Sequence, residues 1–357
     1  MIEVRIAKRV APRLDTPGFS LEVEFQAGAG VTALFGTAGA GKTLVFDAIA
    51  GFTRPDTGRI MLDDRILFDA VSRVHLKPQQ RNCGYVLQNE ALFPNMTLRE
   101  NLVFAADRLP RLERHRGVNE MIDRFGLTNV AGRRPREASK TEKQRCSIAR
   151  ALMASPRLLL LDEPAHGLDA SACAGLYRLL REARGDFAIP ILVATHDLEE
   201  CFQIADKMLV LRDGRIAQGG PPREVMEQPA SVDVARLLGI SNLFQAEITA
   251  LDPGRNTSRL RFQDHEITGT YCPGHLLGDR VWLCVRAGEL RVTGRNGVRP
   301  ETNQIPAKLL SVSEMPQTVR LEFSGGISVE LPRQEFERQK DNKDWLVEFP
   351  PDALRVL

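Results

Sequence analysis

Eight consecutive residues near the start of the chain have the types and spacing needed to hold a triphosphate. They are Gly36, Thr37, Ala38, Gly39, Ala40, Gly41, Lys42 and Thr43, which fit the pattern G-x-x-x-x-G-K-[ST]. The glycines allow the backbone N–H groups to point at phosphates, Lys42 neutralises phosphate oxygens, and Thr43 reaches Mg²⁺. A glycine-rich turn without a ligand is the alternative. The apolar run before the pattern and the helical run after it favour a phosphate loop that binds a nucleoside triphosphate.

A pair of carboxylates follows a second apolar run, at residues 158–161. Such a run is typical of a buried parallel strand, whose carboxyl end is the usual ligand position in an open α/β sheet. We expect Asp162 to hold Mg²⁺ beside the phosphate loop. Glu163 is expected to be the general base or to orient the attacking water. Only the combination with the phosphate loop distinguishes this pair from a solvated strand end.

Two other polar side chains follow apolar runs in the same way. His196 comes after residues 191–195, and Gln88 comes after residues 83–87. We expect both at the same sheet edge, His196 as a catalytic imidazole and Gln88 as an amide between the metal and the water. Either residue alone is more often structural. The predicted catalytic group is therefore Glu163, His196 and Gln88, with Mg²⁺ held by Thr43, Gln88 and Asp162.

In this order, the residues resemble the nucleotide-binding subunit of an ATP-binding cassette (ABC) transporter over roughly residues 1 to 240. The resemblance implies ATP and Mg²⁺ as cofactors and a second ATPase subunit, most simply a second copy of this chain. It also implies integral-membrane permease subunits and, indirectly, a periplasmic or extracellular solute-binding protein. The subunit would lie peripherally on the cytoplasmic face of the inner membrane.

One motif departs from this family. Residues 137–152 resemble its helix-opening motif, in which Ser139 would contact ATP bound on the opposite subunit. The glycine pair that usually follows the serine is replaced by Lys140 and Thr141. Because side chains at these positions crowd the approach to the γ-phosphate, we hypothesise intact ATP binding and weakened hydrolysis.

The segment after Glu163 resembles the family's dimer-crossing loop and predicts Asp169 at the dimer interface. His166 stands where a small residue is usual. An aromatic residue that stacks on adenine has no convincing counterpart, because Val10 to Leu14 carries no ring and Phe19 fits a strand pattern.

Composition restricts the class of protein. The 357 residues are enough for two domains, and the net charge of +2 gives no basic field of the kind that marks a nucleic-acid binder. No apolar stretch is long enough to span a bilayer, and residues 1–5 do not resemble a signal peptide. The six cysteines are scattered without the spacing of a metal or redox site, so we expect reduced thiols.

The predicted fold class is α/β: a P-loop NTPase of the ABC type, with a RecA-like core and a helical subdomain, followed by a β-rich tandem OB-like barrel domain. We place the nucleotide-binding domain at residues 1–232, with its helical subdomain at about 90–155. In the family, the segment after the glutamine grips a helix of the membrane subunit. Leu92, Phe93 and Met96 either form that groove here or pack inside the subdomain.

The second predicted domain, residues 240–357, contains a weak internal repeat. Residues 242–248 resemble residues 303–309. Each half ends with the sequence Leu-Arg-Val, at 290–292 and 354–356. Two OB-like repeats at about 242–292 and 303–356 are therefore predicted. Chance similarity between two β-rich segments is the alternative.

Paired barrels of this kind resemble the tails of importer ATPases. The residues around the phosphate loop, residues 84–94 and the tail phrases at 285–290 and 301–307 look most like importers of molybdate or tungstate. An oxyanion is then a possible tail ligand, with Thr302 and Asn303 as donors. Three other readings stay open: import of iron, sulfate, polyamine or sugar, a weakly hydrolysing regulatory module, and a nucleic-acid-linked ABC ATPase, although no basic aromatic face is visible.

Overall fold

The computed structural model describes residues 1–12, 18–107, 110–294, 300–342 and 344–357. The chain divides into two compact units, Met1–Val225 and Met226–Leu357. The predicted end of the first domain, at residue 232, falls inside the second unit.

An eleven-stranded sheet forms the centre of the first unit. Its strands are β1 (Ile2–Val10), β2 (Phe19–Ala27), β3 (Gly30–Phe35), β4 (Thr57–Leu62), β5 (Arg65–Asp69), β6 (Val74–His75), β7 (Cys83–Val86), β8 (Leu158–Asp162), β9 (Pro190–Thr195), β10 (Lys207–Arg212) and β11 (Arg215–Gly220). Their order is β6-β5-β4-β1-β2-β11-β10-β3-β9-β8-β7. The run from β10 to β7 is parallel, whereas β6-β5-β4-β1-β2 is antiparallel.

Burial explains the two halves of this sheet. Every residue of β3, β8 and β9 is buried, as expected for parallel strands covered on both faces. In β2, buried and exposed residues alternate instead, because only one face of the antiparallel half is covered by the core.

The helices of the first unit are α1 (Lys42–Ala50), α2 (Leu98–Ala105), α3 (Arg111–Arg124), α4 (Lys140–Met153), α5 (Ala170–Phe187) and α6 (Leu198–Ile204), and α7 (Pro222–Glu227) crosses into the second unit. The start of α4 is set by its cap. Ser139 forms a capping box with Glu142: the Ser139 hydroxyl accepts from the Glu142 N–H at 3.2 Å, and the Glu142 carboxylate accepts from the Ser139 N–H at 2.7 Å. The helix therefore begins at Lys140.

After the end of α7, the second unit contains α8 (Val232–Leu237) and is otherwise rich in strands. These are β12 (Asn242–Asp252), β13 (Thr257–Phe262), β14 (His265–Thr270), β15 (Arg280–Val285), β16 (Arg291–Gly294), β17 (Gln304–Ala307), β18 (Leu309–Glu314), β19 (Thr318–Phe323), β20 (Ile327–Pro332), β21 (Trp345–Glu348) and β22 (Arg355–Val356), with α9 (Arg333–Glu337) after β20. They form sheets in the orders β14-β13-β12-β15-β22, β16-β21-β17 and β18-β19-β20.

The two halves of this unit exchange their last strands. β22, from the second half, pairs with β15 of the first, and β16, from the first half, pairs with β21 of the second. One asparagine in each half reinforces the exchange. The amide of Asn242 bonds the N–H and C=O of Ser328 at 2.7 Å each, and the amide of Asn303 bonds those of Thr268 at 2.6 and 2.7 Å. Residues from both halves share one apolar core.

Among the helices of the described residues, none has the length and apolar character required to cross a lipid bilayer.

Candidate functional site

Four parallel strands bring the predicted residues to one edge of the sheet. Phe35 at the end of β3 lies opposite Thr195 of β9, Asp162 of β8 lies opposite Ala194, and Val86 of β7 lies opposite Leu161. Because these strands run in the same direction, the residues that follow them meet at their carboxyl ends.

The phosphate loop, residues 36–43, connects β3 to α1. Gly39 (φ 81°) and Gly41 (φ 105°) adopt left-handed conformations that favour glycine. Gly36 is close-packed, since a Cβ there would lie 2.4 Å from the carbonyl oxygen of Leu211. Gly41 precedes α1 without a side chain to cap it, so the first amides of α1 are available to an anion.

Lys42 is folded into the loop. Its Nζ donates to the carbonyl oxygens of Gly36 at 2.7 Å and of Thr37 at 3.0 Å, and its side chain is 5 % exposed. Burial lowers the pKa of Lys42, and the nearby carboxylates of Glu163 and Asp162 oppose that shift. Lys42 is thus an ammonium held by main-chain oxygens that an incoming phosphate can replace.

Thr43 and Asp162 lie together. The Thr43 hydroxyl donates to Asp162 Oδ2 at 2.9 Å. Burial raises the pKa of Asp162, while the hydrogen bond from Thr43 lowers it. A hydroxyl, a carboxylate and the amide of Gln88, which contacts the neighbouring Glu163, supply hard oxygen donors, the set that suits Mg²⁺ when phosphate oxygens and water complete its shell.

The carboxylate of Glu163 is the point where most of the predicted groups meet. Gln88 Nε2 donates to its Oε2 at 3.1 Å, His196 Nδ1 lies 3.3 Å from Oε1, and Lys42 Nζ lies 4.0 Å from Oε1. Glu163 has a left-handed backbone (φ 48°), a conformation that costs about 1–3 kcal/mol in a non-glycine residue and is typical of functional sites.

A second histidine, which was not predicted as a site residue, also lies near Glu163 but beyond hydrogen-bond distance. His166 Nδ1 lies 3.6 Å from Glu163 Oε2, and its ring centroid is 6.5 Å from that of His196. The sequence did mark His166 as unusual, since a small residue is usual at this position. Its spacing from Glu163 did not show that the two side chains lie close together.

Ser139 and Asp169, which were predicted to act across a dimer, have local partners. Ser139 caps α4 as described, and Asp169 caps α5 through a 2.9 Å bond from the N–H of Ala172. The side chain of Lys140 is folded against Gly167 (φ 67°), so that a Cβ on Gly167 would lie 2.4 Å from its Nζ.

Phe19 is a further residue that sequence reasoning set aside. A Cβ on Gly41 would lie 2.9 Å from the edge of the Phe19 ring, so an aromatic surface adjoins the phosphate loop. Its pattern identified it only as a strand residue, because the contact joins residues far apart in the chain. Of the segment 10–14 that was searched for a ring, residues 13 and 14 lie outside the described residues.

An exposed aromatic pair lies on the helical part of the first unit. Phe93 is 39 % exposed and Phe104 56 % exposed, and their rings meet edge to face at 4.8 Å. The guanidinium of Arg150 lies over Phe93 at 5.4 Å. Leu92, by contrast, packs against the core, so the predicted apolar segment is divided between the interior and the surface.

Comparisons with known proteins identify the family. The family model for ABC transporters matches residues 20–166. The chain is 35% identical over 302 residues to the molybdenum import ATP-binding protein ModC of Paramagnetospirillum magneticum, covering 83% of this chain and 81% of that one. This chain belongs to the ABC transporter family of ATP-binding proteins.

Other members of the ABC transporter family are also similar to this chain in sequence. ModC of Rhodospirillum rubrum is 42% identical over 232 residues, an alignment that spans 65% of this chain and 63% of that relative, less than two thirds of its length. The molybdate/tungstate import ATP-binding protein WtpC of Archaeoglobus fulgidus is 35% identical over 251 residues, covering 70% of this chain and 99% of the relative.

The same ABC fold is found among solved structures. The ATP-binding cassette MJ0796, solved as a dimer bound to ADP and Pi, has a TM-score of 0.55 and 22% identity, covering 62% of this chain and 99% of the cassette. Together with the β-rich second unit, this likeness confirms the predicted fold class.

One expectation about the second unit is wrong. Asn303 was expected to be a donor for an oxyanion, but it is 5 % exposed and its amide nitrogen donates to the carbonyl oxygens of Thr268 at 2.7 Å and Phe349 at 2.8 Å. One N–H of the amide bonds strand β14, and the other bonds the residue that follows β21. Asn303 is therefore structural.

Proposed function

We propose that this chain is the ATP-binding and hydrolysing subunit of an ABC importer that takes up molybdate. The observation that carries the hydrolytic part is the convergence of Gln88, His196 and Lys42 on the Glu163 carboxylate. The cargo is proposed from the names of the relatives, which are molybdenum and molybdate/tungstate import proteins.

In the proposed mechanism, the phosphates of ATP take the place of the carbonyl oxygens that now hold Lys42, and main-chain amides of the loop complete their binding. Thr43, Asp162 and Gln88 would hold Mg²⁺, which when bound supplies positive charge to the phosphate oxygens. Phe19 offers its ring to the adenine. These groups position the γ-phosphate at the sheet edge next to Glu163.

Hydrolysis then needs a water aligned with the γ-phosphate. Glu163 orients this water and accepts its proton, and His196 holds the Glu163 carboxylate from the side of Oε1. Rate enhancement comes mainly from positioning, because phosphoryl transfer requires little covalent chemistry from the protein.

The proposed assembly contains two copies of this chain, each presenting Ser139 to ATP on the other and placing Asp169 at the contact between them. Permease subunits would bind the exposed pair Phe93 and Phe104, on the cytoplasmic face of the membrane.

We also propose an oxyanion site in the second unit, tested by calorimetric titration of the full chain with molybdate, tungstate and sulfate. If none of the three anions gives a heat of binding, that site is rejected.

Uptake by cells tests the proposed function. Cells that lack this chain should accumulate less molybdenum when the metal is scarce, and the wild-type chain should restore accumulation, measured by elemental mass spectrometry. Glu163→Gln should not restore it, although the variant should still bind MgATP. Normal molybdenum content without the chain would contradict the cargo, whereas full restoration by Glu163→Gln would contradict the mechanism.

A weakly hydrolysing regulatory module is the second candidate. It is favoured by Lys140, whose side chain occupies the space beside Gly167 at the opening of α4. Under this candidate, the double variant Lys140→Gly/Thr141→Gly should hydrolyse ATP faster than the wild type, because a misplaced donor costs as much as about 100-fold in rate. An unchanged rate means that the altered motif is tolerated.

A further inference from the structure

The two oxygens of the Glu163 carboxylate have different surroundings. Oε1 faces His196 Nδ1 at 3.3 Å and Lys42 Nζ at 4.0 Å, so it is the oxygen on the side of the phosphate loop. Oε2 faces Gln88 Nε2 at 3.1 Å and His166 Nδ1 at 3.6 Å. Each oxygen therefore has one imidazole.

Local backbone structure brings His166 to Oε2. The N–H of His166 donates to the carbonyl oxygen of Glu163 at 3.0 Å, and the N–H of Leu168 donates to that of Ala165 at 3.1 Å. These consecutive turns return the chain over Glu163. Glu163 itself is fixed by its own N–H, which donates to the carbonyl oxygen of Ala194 at 2.9 Å. The backbone of the loop thus places the Cα of His166 on the same side as the Glu163 carboxylate, and its Nδ1 lies 3.6 Å from Oε2.

The partners of Glu163 differ in what else they must do. In the proposed function, Lys42 binds phosphate and Gln88 binds the metal, so both leave the carboxylate when nucleotide arrives. In that function His166 contacts neither phosphate nor metal, so nucleotide binding does not draw it away from Glu163. Once Gln88 has turned to the metal, His166 is the remaining partner on Oε2 among the interactions described above.

We propose that His166 is a positioning residue for the ATPase reaction: it holds Oε2 of Glu163 so that Oε1 stays directed at the attacking water. This inference rests on the proposed function. His196 and His166 then act as a pair that flanks the carboxylate, with a tilt of 59° between their rings. The side chain of Glu163 is 17% exposed, against 50% for His166.

The test is steady-state and single-turnover ATP hydrolysis by the full-length chain and its variants. His166→Ser should lower kcat by about 10-fold with an unchanged KM for MgATP, since a misdirected Oε1 affects the reaction and not binding. His166→Asn should restore most of the rate, because its amide nitrogen would stand where Nδ1 stands now. His115→Ser, an exposed histidine on α3, is the control and should behave as the wild type.

A double variant separates an effect through Glu163 from an independent one. In the Glu163→Gln background, His166→Ser should produce no further loss in the single-turnover rate. The proposal is overturned if His166→Ser retains the wild-type kcat, if it raises KM alone, or if its loss is the same in both backgrounds. Failure of the proposed function is distinct, because then Glu163→Gln itself leaves the rate unchanged.

Discussion

Two loops at the same sheet edge are built on different principles. The phosphate loop after β3 relies on main-chain groups and on glycines at positions 36, 39 and 41. The carboxylate loop, residues 163–169 after β8, relies on side chains, with Glu163 in a left-handed conformation and His166 turned back onto it. A main-chain site requires a fixed spacing of glycines, whereas a side-chain site can accept a different partner. The first loop fits the pattern of its family, whereas in the second loop His166 stands where a small residue is usual.

The largest effect is expected at the carboxylate loop. Glu163→Gln should lower ATP turnover by about 100-fold or more, because the water loses its proton acceptor, while MgATP affinity is kept. Turnover is measured by phosphate release and affinity by titration calorimetry. Glu182→Gln, an exposed carboxylate on α5, serves as the control. Equal turnover in both variants would show that this loop carries no chemistry.

The next largest effect tests the one side chain on which the phosphate loop depends. Lys42→Ala should weaken MgATP binding by about 10- to 100-fold, since hydrogen bonds to charged groups contribute about 1.5–3 kcal/mol. Lys340→Ala, an exposed lysine in the second unit, is the matched control. Unaltered affinity in Lys42→Ala, measured by calorimetry, would mean that main-chain amides alone hold the triphosphate.

A glycine pair tests the main-chain principle directly. Gly36→Ala should lower the free energy of unfolding by about 1–3 kcal/mol, because the new methyl group would lie 2.4 Å from the Leu211 carbonyl oxygen. Gly28→Ala should have little effect, as no atom of the described residues lies within 4 Å of a Cβ there. Denaturant unfolding checks both variants. Similar stability for the two would remove the packing argument for Gly36.

The smallest effect concerns the fit between the carboxylate loop and α4. Gly167→Ala should destabilise the protein by about 1 kcal/mol, because φ is 67° there and Lys140 must move away. Adding Lys140→Gly should recover only the part of the lost stability that is due to crowding, and not the part that is due to the backbone conformation. Thermal unfolding of the single and double variants measures this coupling, and additive changes would show that the two residues do not interact.

Much of the first unit was predictable because its constraints are local. Buried parallel strands give continuous apolar runs, and the residues that end them, such as Asp162 and His196, must meet at one edge. The start of α4 at Lys140 could also have been predicted, since Ser139 and Glu142 have the spacing of a capping box. The contact of Phe19 with Gly41 was not, because it depends on how distant segments pack.

The second unit shows where sequence reasoning stops for a different reason. The repeat was visible, but each half ends in the same Leu-Arg-Val phrase, at 290–292 and 354–356. Identical phrases fit either partner strand equally well by pattern, so the exchange of β16 and β22 cannot be deduced from them. Asn303 was ambiguous for another reason: its polar side chain suggested a ligand, but it bonds β14 and the residue after β21 instead.

The exchanged strands also determine when each sheet of the second unit can gain its last strand during synthesis of the chain. The five-stranded sheet of the first half gains its last member only when Arg355 and Val356 have been synthesised. Until then, the edge of β15 has no neighbour on that side, and such an edge is prone to pair with another nascent chain. The sheets of the second unit are therefore complete only when both halves have been synthesised, and premature termination within the second half leaves the sheet of the first half without its last strand.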